Sequence, residues 1–170
     1  MHMKHILPIL TLTTLAAAAS AQAAAPAGLS YNRIGLGYDT AASSKGYSLT
    51  ASALIGGSNF LLGASTTIGG NGTVNGKDAV SLGYLSKNVY AGIDAVVSVA
   101  SNEAYGLGLR KDLGVYNLEA AASFGRNAAD NNIWGAELAY NVSKQIQLAV
   151  GYSDEQGKAS TSTLSARYNF

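Results

Sequence analysis

From residue 24 onward the chain alternates between apolar and polar residues at every second position. A period of two is typical of a β-strand whose two faces meet different surroundings. Clusters of Gly, Asn, Ser, Asp and Lys divide this pattern into ten segments. They are Ser30–Asp39, Gly46–Ile55, Phe60–Ile68, Asp78–Leu85, Val89–Val99, Ala104–Arg110, Val115–Gly125, Ile133–Val142, Ile146–Tyr152 and Ser162–Phe170. Helical periodicity is absent from this part of the sequence, so the pattern predicts an all-β domain.

Most segments have the roughly nine to eleven residues that a tilted strand needs to cross the hydrocarbon core of a membrane. Longer loops and tight turns alternate between the segments, as in barrels whose loops and turns lie on opposite sides of a membrane. We call these two ends of the barrel the loop edge and the turn edge. The sequence therefore predicts a transmembrane antiparallel up-and-down β-barrel of ten strands. Merging the short sixth strand with its neighbours gives eight strands as the alternative.

One face of every segment is apolar and carries no charge, and its aromatic residues fall near the strand ends. Those near the loop edge are Tyr38, Tyr47, Tyr105, Phe124, Trp134 and Tyr152. Those near the turn edge are Phe60, Tyr84, Tyr116, Tyr140 and Tyr168, together with Phe170. Two aromatic girdles are typical of a barrel that meets lipid headgroups at both ends. A soluble sandwich or lipocalin-like barrel, the alternative, would turn the apolar face inward.

The opposite face is dominated by Gly, Ser, Thr and Ala, and it carries the charged residues. On the barrel interpretation the lumen contains a charge cluster of three cations and three anions: Arg33, Asp94, Arg110, Glu119, Glu137 and Arg167. All six fall in the half nearer the turn edge. Because isolated buried ions are costly, we expect the first-strand and last-strand arginines to meet the acids across the lumen in a hydrogen-bonded network. This lumen charge cluster would constrict the turn half, whereas the small residues elsewhere leave room for a cavity.

Residues 1–23 have the layout of a secretory signal peptide. Lys4 precedes the apolar run Ile6–Leu15, and Ala21-Gln22-Ala23 reads as the cleavage site. The apolar run is too short to span a bilayer, so a retained anchor is not expected. We predict cleavage after Ala23, with Ala21 and Ala25 as the alternative sites, which leaves residues 24–170 as a single barrel domain.

Cleavage removes every His and Met, and the sequence contains no Cys. Serine hydrolases and acyltransferases normally need a histidine base, so we expect no catalytic site. For the same reason we expect no metal site built from His or Cys, and no residue pattern calls for a cofactor. Removing Lys4 from the eleven basic residues leaves ten, which balance the ten acidic residues. Nucleic acid is therefore not an expected partner, because its binding needs a concentrated basic face.

The opening stretch GLSYNRIGLGYDT, residues 28–40, and the strand architecture of the mature chain resemble the small outer-membrane β-barrel superfamily that includes OmpX and the OmpA membrane domain. The resemblance implies a protein of the outer membrane with both termini periplasmic, in contact with outer-membrane lipid and lipopolysaccharide. In such barrels an aromatic final strand ending in Phe is the signal read by the barrel assembly machinery. Leu164, Ala166, Tyr168 and Phe170 match that signal. Periplasmic chaperones would accompany the chain before assembly.

Two functions remain open on this evidence. The first is a non-enzymatic structural or surface-interaction role in the cell envelope of a Gram-negative bacterium. The second is a narrow porin-like channel for water and small solutes. The sequence does not indicate an oligomeric state.

Overall fold

The computed structural model describes residues 29–40, 45–69 and 78–170. The predicted signal peptide, residues 1–23, lies outside the described residues, as do residues 24–28 at the start of the predicted barrel domain. Within the described ranges no helix is long and apolar enough to cross a membrane.

Ten strands make up the described part of the chain, each bounded by the turn-forming residues that the sequence pattern marks. They are β1 (Arg33–Asp39), β2 (Gly46–Leu54), β3 (Phe60–Gly69), β4 (Ala79–Tyr90), β5 (Ile93–Ala100), β6 (Tyr105–Asp112), β7 (Leu118–Arg126), β8 (Asn132–Asn141), β9 (Ile146–Glu155) and β10 (Thr161–Asn169).

The strands close into a single antiparallel up-and-down barrel. Each strand pairs with its neighbour in the chain, and β1 also pairs with β10 to complete the ring. The predicted count of ten strands is confirmed. The alternative of eight is wrong, because the short β6 remains a separate strand that pairs with β5 on one side and β7 on the other.

The apolar face of the barrel wall points outward and the polar face points inward, which is the reverse of a soluble barrel. Leu36 and Leu164 on the outer face are 54% and 60% exposed. On the inner face, Glu119 and Gln147 are only 5% and 1% exposed. A soluble barrel would bury the apolar set and expose the polar set, so this distribution excludes that alternative and is the one a transmembrane barrel requires.

The connection between β4 and β5 differs from the predicted turn at residues 86–88. Pairing continues to Tyr90, and the turn lies at Ala91-Gly92. The register shifts between Ser86 and Tyr90, where Asn88 adopts a positive φ of 51°. Between the pairs Ser86–Ala95 and Tyr90–Ile93, β4 contains two more residues than β5, and this β-bulge moves the turn beyond the position that the period of two marks. The alternation places Tyr90 on the inner face, but in the structure this residue is 77% exposed beside the turn.

The described connections also show less asymmetry between the two edges than the sequence predicts. At the loop edge, residues 127–131 join β7 to β8, and residues 156–160 join β9 to β10. They are about as short as the turn-edge connections 113–117 and 142–145. Strand pairing extends into polar residues that the sequence pattern assigned to loops, for example at Asn132 and Glu155.

Candidate functional site

All six residues of the lumen charge cluster occupy inward positions in the barrel. They come from β1, β5, β6, β7, β8 and β10, in the order Arg33, Asp94, Arg110, Glu119, Glu137 and Arg167. Some of their cross-strand neighbours are small: Arg110 stands opposite Ala121, and Glu137 opposite Gly151. These small neighbours leave room for long side chains to lie along the wall.

The most buried ion pair joins β6 to β7. Arg110 Nη2 donates to Glu119 Oε2 at 2.7 Å, and the two side chains are only 11% and 6% exposed. Glu119 Oε1 accepts a second hydrogen bond from Asn141 Nδ2 at 3.0 Å. Both carboxylate oxygens are therefore satisfied, which a buried ion pair needs if it is not to destabilise the fold.

A second ion pair joins β10 to β8. Arg167 Nη1 donates to Glu137 Oε1 at 2.6 Å, and Arg167 Nη2 donates to Glu137 Oε2 in a two-pronged arrangement. Gln147 on β9 connects this pair to the first, because its Oε1 accepts from Arg167 at 3.3 Å while its Nε2 donates to Asn141 Oδ1 at 2.9 Å. One hydrogen-bonded chain thus runs along the wall from β6 to β10. Arg167, which was expected to meet an acid across the lumen, instead pairs with Glu137 two strands away along the wall.

The segment before β1 extends this network to β5. The Tyr31 hydroxyl donates to Asp94 Oδ2 at 2.8 Å, and the Arg110 guanidinium carbon lies 4.7 Å from the centre of the Tyr31 ring. Arg110 Nη1 also donates to the backbone carbonyl of Ser30 at 2.8 Å. Tyr31 is 5% exposed, and burial together with the hydrogen bond to Asp94 raises the pKa of its hydroxyl, which keeps it a donor. This segment therefore folds into the mouth of the barrel at the turn edge.

Arg33 is the exception within the cluster. Its Nη1 atom is sealed from solvent and has no hydrogen-bond partner. It lies within electrostatic range of the like charges on Arg110 and Arg167, and the opposite charges on Glu137 and Glu119 partly offset their repulsion. Within the described residues the lumenal carboxylates Glu119 and Glu137 form their ion pairs with those two arginines and not with Arg33.

The β2–β5 side of the turn half is apolar, which the sequence analysis did not anticipate. Leu54 stands opposite Leu61, and Leu85 stands opposite Val96, all at inward positions. Leu85 is fully buried, with no exposed surface. The turn half of the lumen therefore contains charged residues on one side and apolar residues on the other.

Above the network, a cavity of about 340 Å³ extends toward the loop edge. Arg33, Arg110 and Glu137 line its lower part. Its upper wall includes the hydroxyl-bearing residues Ser123, Ser153 and Thr163. Because most of the remaining lining consists of Gly and Ala, the volume between the strands stays unfilled.

Sequence reasoning missed Tyr31, Asn141 and Gln147 as members of the network. Tyr31 lies on the inward face of the predicted segment Ser30–Asp39, but alternation alone names no partner for it, and in the structure β1 begins only at Arg33. Asn141 and Gln147 flank the β8–β9 turn at inward positions, and their spacing alone could have placed them in the lumen. Their hydrogen bonds to Glu119 and Arg167 could not be predicted, because these depend on the register between four strands. In the part of the chain that the structure describes, no group of three or more His, Cys, Asp or Glu residues comes together to hold a metal ion.

Comparison with known proteins adds to this geometry. No protein-family model matches the sequence, and no curated protein sequence matches it either. Among solved structures, the chain is similar to the KdgM porin in complex with disordered oligogalacturonate, at 12% identity over 81% of this chain and 99% of that chain, with a TM-score of 0.52. A second KdgM porin structure aligns over the same shares of both chains at 12% identity, with a TM-score of 0.50. The outer membrane protein Omp33 of Acinetobacter baumannii aligns at 19% identity over 81% of this chain and 71% of that chain, with a TM-score of 0.43.

The fold is that of the outer-membrane β-barrels. At identities this low the likeness concerns the fold alone. The ten-stranded closed sheet and the exposed apolar wall agree with it.

On this outer-membrane-type barrel the predicted girdle residues lie outside, near the strand ends. Neighbouring rings contact each other at both edges: Tyr38 and Tyr47, like Trp134 and Tyr152, have centroids 5.4 Å apart at the loop edge. Phe60 and Tyr84 lie 5.5 Å apart at the turn edge. Tyr105 and Phe124 are also exposed at the loop edge, and Tyr140 and Tyr168 at the turn edge. Tyr116 differs from its predicted strand position, because β7 begins only at Leu118 and Tyr116 is 84% exposed in the turn.

The last strand of the barrel places the residues of the predicted assembly signal on the outer face. Leu164 and Tyr168 are exposed to the surroundings, at 60% and 54%. Phe170 behaves differently: it is partly buried and packs against Ala51 and Ala53 on β2. Its backbone N–H donates to the carbonyl of Asn32 at 3.1 Å. The terminal phenylalanine thus reaches β2, the second strand beyond β10, across the seam where the barrel closes.

Proposed function

We propose that this chain is an integral outer-membrane protein with a structural or surface-contact role in the envelope, and that its lumen does not conduct freely. The observation that carries the proposal is the filled turn half of the lumen. Arg110, Glu119 and Gln147 are nearly buried there, and Tyr31 lies against them from the segment before β1. Leu85 is fully buried on the opposite side. Water-filled channels need a continuous polar passage, and this arrangement leaves little room for one.

The exterior supports residence in a bilayer. The apolar wall would face the hydrocarbon core of the membrane, and the aromatic girdle at each end would lie at the headgroup level, which aromatic rings favour. Outer-membrane lipid and lipopolysaccharide are the partners that such a wall would contact. Before insertion, the chain would need periplasmic chaperones and the barrel assembly machinery.

The proposal includes no catalytic activity. Glu119 and Glu137, the acids most buried in the lumen, are each engaged by an arginine, which holds them as ion-pair partners rather than as free proton donors or acceptors. After residue 23 the chain contains no histidine to activate a serine.

The start of β1 and the end of β10 lie at the turn edge, where Arg33 stands opposite Asn169. We place this edge in the periplasm. Because the sequence has no Cys, single cysteines can report the orientation. With a membrane-impermeant maleimide on intact cells, Ala128→Cys in the β7–β8 loop should be labelled, and Lys144→Cys in the β8–β9 turn should be labelled only after lysis. The reverse pattern would contradict this orientation.

A narrow channel for water and small solutes is the second candidate. The cavity of about 340 Å³ above the network favours it, as does the fold likeness to a porin. Planar-bilayer recording of the purified barrel separates the two functions. The structural role predicts no discrete conductance steps for the wild-type protein, whereas the channel predicts reproducible steps.

A further inference from the structure

Arg33 is the lumenal arginine that forms no ion pair with a carboxylate among the described residues. Its Nη1 atom is sealed from solvent without a hydrogen-bond partner. The other two lumenal arginines each have a carboxylate within hydrogen-bond distance. Asp94 is directed elsewhere, since its oxygens accept from the Tyr31 hydroxyl and from the backbone N–H of Asn88, both at 2.8 Å. A buried guanidinium that lacks such a partner is unfavourable unless another anion approaches it.

The surroundings of Arg33 offer a place for that anion. Arg33 is sealed at Nη1 but only partly buried as a whole residue, and it lines the lower part of the 340 Å³ cavity. Glu137 also lines the cavity, but both of its oxygens are taken by Arg167. The repulsion that this carboxylate would exert on an incoming anion is therefore offset by its arginine partner.

We propose that the cavity binds a small carboxylate, held by the guanidinium of Arg33. The planar guanidinium presents paired donors that match the two oxygens of a carboxylate, which a spherical anion cannot engage in the same way. The hydroxyls of Ser123 and Ser153 line the wall above and supply polar contacts for the rest of the solute. The volume lies at the lower end of the range for ligand pockets, about 300–1,000 Å³, and so restricts the solute to a small one.

This inference goes beyond the structural role proposed above and does not depend on conductance. A carboxylate that binds the folded barrel and not the unfolded chain stabilises the fold by mass action. The test replaces sodium chloride stepwise by sodium acetate at constant ionic strength, and follows the thermal unfolding midpoint of the refolded protein in detergent. For the wild-type protein we expect a saturable rise of about 2–4 °C.

Two variants test whether the acetate response depends on Arg33. Arg33→Gln should abolish the rise, whereas Arg126→Gln, which removes an exposed arginine at the loop edge, should retain it in full. A flat wild-type titration, or equal rises in the wild type and Arg33→Gln, would overturn the proposal.

A cavity-filling variant covers the case in which Arg33→Gln does not fold. A Cβ atom on Gly108 would have only one neighbour within 4 Å, the Val96 carbonyl oxygen at 3.9 Å, so Gly108→Leu can extend into the cavity without changing its charge. We expect this variant to lose the acetate response. An unchanged response in Gly108→Leu would place the acetate outside the cavity and contradict the proposal. Since none of these measurements involves ion flow, their failure leaves the structural role untouched.

Discussion

The Tyr31 hydroxyl lies 2.8 Å from Asp94 Oδ2 and joins the segment before β1 to the distant strand β5. This contact spans 63 positions in the sequence and closes the turn-edge mouth against the network. The same segment accepts a hydrogen bond from Arg110 through the Ser30 carbonyl. The mouth is therefore closed by residues outside the strands, although the strands alone form the barrel.

Removing the Tyr31 hydroxyl should destabilise the barrel measurably. In Tyr31→Phe the ring remains against Arg110, but Asp94 loses a donor in a partly buried position, which should lower the free energy of unfolding by about 1–3 kcal/mol. Urea unfolding of the refolded protein, followed through the fluorescence of Trp134, the single tryptophan, measures this change. Tyr90→Phe is the matched control, since Tyr90 is 77% exposed, and its effect should stay within about 0.5 kcal/mol. Equal effects of the two substitutions would show that the contact with Asp94 contributes nothing.

The two buried acids should differ in importance. Glu119→Ala removes the carboxylate that accepts from both Arg110 and Asn141 in an enclosed part of the lumen, and we expect a loss of about 3–5 kcal/mol. Glu137→Ala should lose roughly half as much, because the Glu137 side chain is 27% exposed, against 6% for Glu119. Urea unfolding of the two variants under the same conditions gives the comparison.

The double variant Glu119→Ala/Glu137→Ala extends this test to the constriction. Removing both carboxylates should open space in the turn half and raise the conductance of the barrel in planar bilayers. If the double variant left both stability and conductance unchanged, the lumen charge cluster would have neither role.

A pair of glycines facing each other on β6 and β7 sets the backbone distance at one point in the wall. Gly106 stands opposite Gly125, and a Cβ atom on Gly125 would lie 2.5 Å from the Tyr105 carbonyl oxygen, a backbone atom that cannot move aside cheaply. Gly125→Ala should therefore lower stability by about 1–3 kcal/mol. Gly151→Ala is the control, because its Cβ would meet neighbours only at ordinary contact distances of 3.8 Å and beyond. Urea unfolding should show a clear loss for the first variant alone, and similar losses for both would point to a general need for glycine in strands.

The period of two was enough to predict the barrel, because lipid and lumen impose opposite preferences on alternate residues. This is why the outer positions of Leu36 and Leu164 and the inner positions of Arg110 and Glu119 follow from spacing alone. The bulge before Tyr90 lies beyond such reasoning, since the two extra residues that β4 has there relative to β5 follow from strand pairing and not from the alternation.

The partners within the lumen could not be predicted for a different reason. Which acid meets Arg167 depends on the stagger between strands, and this stagger is a property of barrel closure rather than of any one strand. Gln147 illustrates the point: its place between Arg167 and Asn141 follows from pairs across β8, β9 and β10. The contact of Tyr31 with Asp94 likewise joins the start of the predicted first segment to β5, and no alternation within one segment specifies it.

Phe170 should contribute to both the stability and the assembly of the barrel, and the two contributions can be separated. Its ring packs against Ala51 and Ala53, two strands away across the closing seam, while Tyr168 remains exposed on the outer face. Deleting Phe170 should lower the yield of folded protein both in liposomes without assembly factors and in cells, because packing at the seam is lost in each case.

Phe170→Leu retains an apolar side chain for the seam but removes the aromatic ring expected to be read by the assembly machinery. This variant should fold into liposomes with nearly wild-type yield and reach the outer membrane of cells poorly. Heat-modifiable migration on gels quantifies the folded fraction in both settings, and normal yields of the deletion variant in cells would contradict an assembly role for the terminal residue.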